Sequence, residues 1–230
     1  MPIFQLRKDP IFPDPELAEE EGIIAIGGDL SPQRLVAAYS CGIFPWYSEG
    51  DPILWFSPDP RMVLYPQNFK RSKTLTRLVN SGKYQLRVDH DFPSVIAHCA
   101  KIPRPGQDGT WITGDMQEAY IRLHELGLAH SFETYQGDTL VGGLYGVSLG
   151  RAFFGESMFH HARDASKFAF HALVDFALEK GFHFIDAQQP TKHLASLGAQ
   201  EVPRATFLRQ LAASQRHPTL QAKWPPQPTP

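Results

Sequence analysis

The sequence predicts an α+β protein in two parts: a small N-terminal domain over residues 1–61, packed on a larger domain over 62–230 with a mixed, mainly antiparallel sheet. Three observations predict it. Beyond residue 62, helical and extended patterns alternate along the chain. Within that stretch, extended runs near 129–135, 139–148 and 151–158 are separated only by Gly137-Asp138 and Leu149-Gly150, the spacing of an antiparallel meander. Before it, residues 42–61 are crowded with Pro, Trp and Phe. Such rings must pack on something, so this stretch reads as an ordered loop leading to a junction near Asp59–Met62.

Taken in order, residues 1–22 are broken by prolines and read as extended and loosely held. Ile23–Ile26 is a short apolar strand, closed by the turn Gly27-Gly28-Asp29. Ser31 before Pro32 gives an N-cap followed by proline at the first helical position, where a missing N–H costs nothing. That helix runs through Leu35, Val36 and Tyr39 and stops at Gly42. After the junction, a helix around Arg71–Val79 ends at Ser81-Gly82, and Tyr84, Leu86 and Val88 alternate as a strand. Helices follow near Pro93–Ala100 and from Asp115 to Leu126, the second closed by Gly127. The meander comes next, then a helix from about Ala165 to Lys180 stopped at Gly181, and the strand Phe182–Ala187. Helices near Lys192–Leu197 and Arg204–Ser214 complete the order, and the proline-rich residues from about 218 read as disordered. Meander, helix and strand in this order resemble the core of a GNAT-type acyltransferase fold.

Charge is unevenly placed. Residues 60–88 hold seven basic side chains and no acidic one: Arg61, Lys70, Arg71, Lys73, Arg77, Lys83 and Arg87. In a chain of net charge −2, that +7 window leaves −9 for the remainder. Clustered Lys and Arg suit a polyanion, because they displace counterions condensed on a phosphate backbone. The alternative is a solvated helix face. Other features exclude classes. No apolar run approaches the roughly 20 residues that cross a bilayer, and the acidic, proline-broken N-terminus lacks a secretory pattern. Cys41 and Cys99 make neither a disulfide framework nor a zinc motif, so a reduced, cytoplasmic protein with no membrane association is expected. His160-His161, His183 and His193 share no ligand spacing with a cysteine, and no metal is expected. A Gly-x-Ser-x-Gly elbow is missing too, which argues against a serine acyl-enzyme.

Several short segments become specific as a set. Gly27-Gly28-Asp29-Leu30-Ser31-Pro32 precedes Gly42-Ile43-Phe44-Pro45-Trp46 and Trp55-Phe56-Ser57-Pro58-Asp59-Pro60-Arg61. Gly109-Thr110-Trp111-Ile112, Gly155-Glu156-Ser157-Met158-Phe159, Ile185-Asp186-Ala187-Gln188 and Leu197-Gly198-Ala199 follow. In this order they closely resemble the leucyl/phenylalanyl-tRNA–protein transferase family, over about residues 23–204. The resemblance implies a small N-terminal domain on a GNAT-like domain and a reaction without metal or small cofactor. Leu or Phe, with Met a third candidate, would pass from aminoacyl-tRNA to proteins beginning with Arg or Lys, marking them for degradation through the N-end rule. The residues add one independent point. Acetyl-CoA users of this fold cradle a pyrophosphate in a glycine-rich turn at a helix N-terminus. Here that stretch, His160–Lys167, has no glycine and carries Asp164 at the mouth of the helix.

Roles for single residues follow, each beside its plainer alternative. Lys70, Arg71, Lys73, Arg77 and Lys83 are implied by the resemblance to hold the tRNA acceptor arm; such contacts position without reading the amino acid. Trp46 and Trp111, taken singly, are ordinary core rings. The resemblance puts them around the 3′-terminal adenosine, where a flat ring stacks on a splayed base. Leu144, Phe153 and Met158 from the meander and Phe170 and Leu173 from the next helix are either core or the walls of an apolar donor pocket. Leu at 173 and Ala at 177 leave the donor preference open. Glu156 ends a strand of apolar and small residues, where a carboxylate is either paired or placed to accept from a substrate's ammonium or amide. Asp186 and Gln188 are expected on one face of a strand end by period two. The implied reaction is aminolysis of an ester, for which Asp186 is expected as electrostatic support and proton acceptor, and Gln188 as the group orienting the nucleophile. Two rivals stand beside this: a related tRNA-dependent transferase building peptidoglycan bridges, and a tRNA-binding module without catalysis.

Overall fold

The computed structural model describes residues 3–102 and 110–225; Gly109 of the Gly109–Ile112 segment and residues 226–230 of the proline-rich end lie outside them. The smaller of two sheets has the order β1-β2-β4-β3, from Phe4–Leu6 (β1), Ile23–Gly27 (β2), Phe44–Pro45 (β3) and Leu54–Phe56 (β4). Between β2 and β3 lies the helix Pro32–Ser40 (α1), whose first turn is capped as expected by Ser31 Oγ accepting the Arg34 N–H at 3.4 Å.

Residues 3–22 are held more firmly than their prolines suggest. β1 pairs in parallel with β2. The buried Arg34 guanidinium donates to the carbonyl oxygens of Arg7, Lys8 and Asp9. A planar fork of five donors can collect several carbonyls at once, which no local pattern announces. Residues 42–61 are likewise not loop throughout, since they supply β3 and β4 and bury Trp55 completely against Phe12.

The larger sheet has the order β11-β5-β10-β9-β8-β7-β6. Its strands are Arg61–Leu64 (β5), Gln85–Val88 (β6), Ala129–Gln136 (β7), Thr139–Leu149 (β8), Ala152–His160 (β9), Phe184–Gln188 (β10) and Gln200–Val202 (β11). β9 and β10 run parallel, while the other pairings are antiparallel, so the sheet is mixed and mainly antiparallel as the sequence predicts. Helices Lys73–Val79 (α2), Phe92–Lys101 (α3), Gly114–Glu125 (α4), Ala165–Lys180 (α5), Lys192–Ser196 (α6) and Arg204–Ser214 (α7) complete the fold. Strand alternation sorts the core. Tyr145 and Val147 of β8 join the cluster of α3 and α4, whereas Leu144 joins that of α5 on the opposite face. α5 lies close on the sheet because residue 142 is glycine; a Cβ there would come within 2.5 Å of the Ala165 Cβ.

Two further expectations change. The helix expected around Arg71–Val79 begins at Lys73, since Ser72 caps it, so Lys70 and Arg71 precede it. Residues 218–225, expected to be disordered, pack on the larger part, and Trp224 is only 5 % exposed. A ring burying this much apolar area outweighs the chain-extending effect of its proline neighbours. Among the described residues no helix is long and apolar enough to cross a membrane.

Candidate active site

The sheet opens where the site lies. Parallel pairing of β9 with β10 ends at Phe154 opposite Asp186. Beyond that point each strand is bulged. The β8–β9 register slips at Tyr145/Gly146, leaving Glu156 as the extra residue, and the β10–β5 register slips between Asp186 and Gln188. Bulges bend strands and re-aim side chains, and these two turn polar groups into the gap. Gln188 itself adopts φ 61, a left-handed conformation costing a non-glycine residue on the order of 1 kcal/mol. Strict alternation therefore does not deliver Gln188; the bulge does.

A cavity of about 600 Å³ occupies the opening. Leu144, Phe153, Met158, Phe170 and Leu173 give it an apolar wall. Trp46 and Trp111, both half-buried, form another part of the lining, and Glu156, Asp186 and Gln188 supply its polar end. The structure thus gathers all ten residues around one space.

The two carboxylates are built differently. Asp186 is fully buried, and Arg61 donates to both of its oxygens, Nε to Oδ1 at 2.9 Å and Nη2 to Oδ2 at 2.7 Å. The Gln188 N–H donates to Oδ1 as well, at 2.9 Å. Geometry of this kind fixes Gln188 and suits orientation, not the proton acceptance expected for Asp186. Arg61 also donates to the Gly42 carbonyl and lies over the Phe44 and Phe207 rings at 4.9 and 4.5 Å. It is therefore an interior residue and leaves the surface patch in which its sequence neighbours place it.

Among the described residues, Glu156 has only neutral donors. Tyr39 of α1 donates to Oε1 at 2.6 Å, Tyr120 of α4 to Oε2 at 3.2 Å, and Gln188 Nε2 to Oε1 at 2.7 Å. The Tyr39 and Tyr120 hydroxyls also meet, but each has one proton, so while both donate to Glu156 neither donates to the other. Burial pushes the Glu156 carboxyl up to about 7, against the lowering effect of these three hydrogen bonds and with a smaller upward push from Asp186. Because Gln188 turns its amide nitrogen to Glu156, its Oε1 is left to accept from another group. The corner can hold an amine and take a proton from it near neutral pH.

The predicted phosphate contacts lie outside the cavity. Lys70, Arg71, Lys73, Arg77 and Lys83 are all exposed along residues 70–83. Arg71 pairs with Asp175 of α5, and Phe69 packs edge-on to Phe170, one of the cavity-lining rings. Arg87 sits apart on β6, over the Tyr135 ring and near Asp138.

Comparison with known proteins decides the family. Residues 63–212 match the family model described as leucyl/phenylalanyl-tRNA protein transferase, and residues 28–59 match that of its N-terminal domain. A leucyl/phenylalanyl-tRNA–protein transferase from Anaeromyxobacter sp. (strain K) is 54% identical over 224 residues, covering 97% of this chain and 96% of that one. Its counterpart in Myxococcus xanthus (strain DK1622) is 53% identical, covering 97% of each. The chain belongs to the leucyl/phenylalanyl-tRNA–protein transferase family. Among solved structures, L-PGS from Bacillus licheniformis is a distant likeness, 9% identical with a TM-score of 0.39 over 75% of this chain and 57% of that one.

For a member of this family, the sequence missed three participants. Tyr39 and Tyr120 carry ordinary core phasing on their helices, and Glu156 lies 117 and 36 residues further along the chain. Arg61 is hidden in a basic run, its partner 125 residues away. Only the polar exceptions within apolar strands, Glu156 and Asp186, signal the corner they complete. Among the described residues no group of three or more His, Cys, Asp or Glu is placed to hold a metal ion.

Proposed function

We propose that this protein transfers Leu or Phe from aminoacyl-tRNA to the α-amino group of proteins with N-terminal Arg or Lys, marking them for N-end rule degradation. One observation supports this above the rest: an apolar cavity that ends at a carboxyl titrating near 7 and a glutamine held beside it. The donor side chain occupies the wall of Leu144, Phe153, Met158, Phe170 and Leu173. Trp46 and Trp111 stack on the terminal adenosine. Lys70, Lys73, Arg77 and Lys83, with Arg71 once it leaves Asp175, take tRNA phosphates.

In the reaction the acceptor amine attacks the ester carbonyl carbon. A C–N bond forms, the C–O bond to the terminal ribose breaks, and the freed ribose oxygen gains the proton that the amine gives up. The acceptor's ammonium, with an ordinary pKa of about 8, must first release a proton. Glu156 accepts it at small cost, because the two groups titrate within about one unit. Gln188 Oε1 orients the amine, and Asp186, pinned by Arg61, orients Gln188. The ester is already activated, so positioning supplies much of the rate.

The test is transfer of radiolabelled Leu or Phe from its tRNA to a protein with N-terminal Arg, beside the same protein with N-terminal Met. Label in the Arg protein alone is expected. Label in a cell-wall precursor instead, or tRNA binding without transfer, would sink the proposal. In the same assay, Lys73→Ala with Arg77→Ala should weaken tRNA binding and reduce its logarithmic salt slope by about one per lost contact.

A further inference from the structure

Trp224 does not line the donor cavity, but it packs on the elements that do. Its ring stacks on Phe176 of α5 at 4.3 Å and meets Phe153 of β9 at 6.1 Å. Phe153 lines the cavity, as do Phe170 and Leu173, which lie on the same helix as Phe176. Phe153 is crowded at Gly146 as well. A Cβ at residue 146 would lie 2.6 Å from one of its ring carbons and 2.7 Å from another, so the ring fills the space that a glycine leaves open. The indole and Gly146 together clamp it.

The clamp is itself anchored. The Trp224 N–H donates to Asp89 Oδ2 at 2.8 Å, and the same oxygen lies 2.7 Å from His130 Nδ1. His130 stacks on the indole at 3.6 Å with only 7° between planes. The approach to Trp224 is clipped twice more, by the Gly150 N–H on Thr219 Oγ1 at 2.9 Å and by Gln221 Nε2 on the Leu126 carbonyl at 3.0 Å. Residues 219–224 therefore form a strap whose one large ring wedges between β9 and α5, both of which wall the cavity.

We infer that Trp224 is a positioning residue for donor selection: by holding Phe153 against Gly146 and bracing α5, it sets the depth of the apolar pocket and hence the balance between Leu and Phe. The inference rests on the donor-pocket reading above. Without the indole, the Phe153 ring gains room to swing off the cavity wall, and the pocket deepens toward the larger donor. A hydrophobic pocket discriminates by about tenfold or more for each methylene of misfit, so a shift of one ring edge is enough to read out.

The experiment compares kcat/KM for Phe-tRNA and Leu-tRNA, with one acceptor protein, in wild type, Trp224→Ala and Trp224→Phe. The Phe-to-Leu ratio should rise about tenfold in Trp224→Ala and about two- to threefold in Trp224→Phe, with affinity for uncharged tRNA unchanged. Leu211→Ala, in the core on the other face of the sheet, controls for general loosening. It should lower the melting temperature while leaving the ratio at the wild-type value. A ratio that stays fixed in Trp224→Phe, or moves equally in Leu211→Ala, overturns the inference while leaving the transferase reading intact. Failure of wild type to transfer either amino acid overturns both.

Discussion

β9 and β10 lie side by side, and each holds one buried carboxylate, yet the two are surrounded differently. Asp186 meets a guanidinium that covers both oxygens. Glu156, two residues past the last β9–β10 pair, meets two phenols and an amide. Both are out of water, and only Asp186 has a full opposite charge against it. A buried carboxylate beside Arg is a fixed part of the scaffold, while one beside neutral donors is left poised to exchange a proton.

The largest expected effect comes from removing the cation. Arg61→Met strands the Asp186 carboxylate in the interior and should cost about 3–5 kcal/mol in urea unfolding, whereas Arg61→Met with Asp186→Leu should recover much of it. A loss under about 1 kcal/mol in the single variant would break the comparison. Next is Glu156→Gln. The native carboxyl keeps its proton from pH 4.5 to about 7, where the unfolded one has lost it, so the native state binds more protons and stability falls as pH rises through that window. This one group removes about 3 kcal/mol between pH 4.5 and 8. Unfolding free energies at those two pH values should show the drop in wild type but not in Glu156→Gln, and the pH–rate inflection near 7 should vanish with it. Tyr39→Phe is the smallest. It removes a hydrogen bond that favours the ionised form, so the inflection should move up by about one unit. A downward shift in the pH–rate profile would mean that the phenol does not support the anion.

Much of this was legible from local chemistry. α5 and α7 run over the residues the sequence predicts, because Gly181 and the Pro203 bend punctuate strong apolar patterns. The cavity wall was readable for the same reason: alternation and helical spacing put Leu144, Phe153, Phe170 and Leu173 on facing surfaces. Partners distant in sequence were not readable. Nothing near Arg61 separates it from Lys70 or Arg71, although one is interior and the others are in water. Short strands such as β1 and β3 have too few residues to show a period, and Trp224 was masked by prolines whose local preference its burial overrides.

Tyr39 comes from the first forty residues of the chain, while the acid it steadies arrives in one of the last strands. Until those two portions dock, the carboxyl lacks that donor and the opening lacks its Trp46 edge. A half-finished polypeptide leaving the ribosome consequently lacks the complete opening. The opening is complete only when the early segment and the late one are both in place.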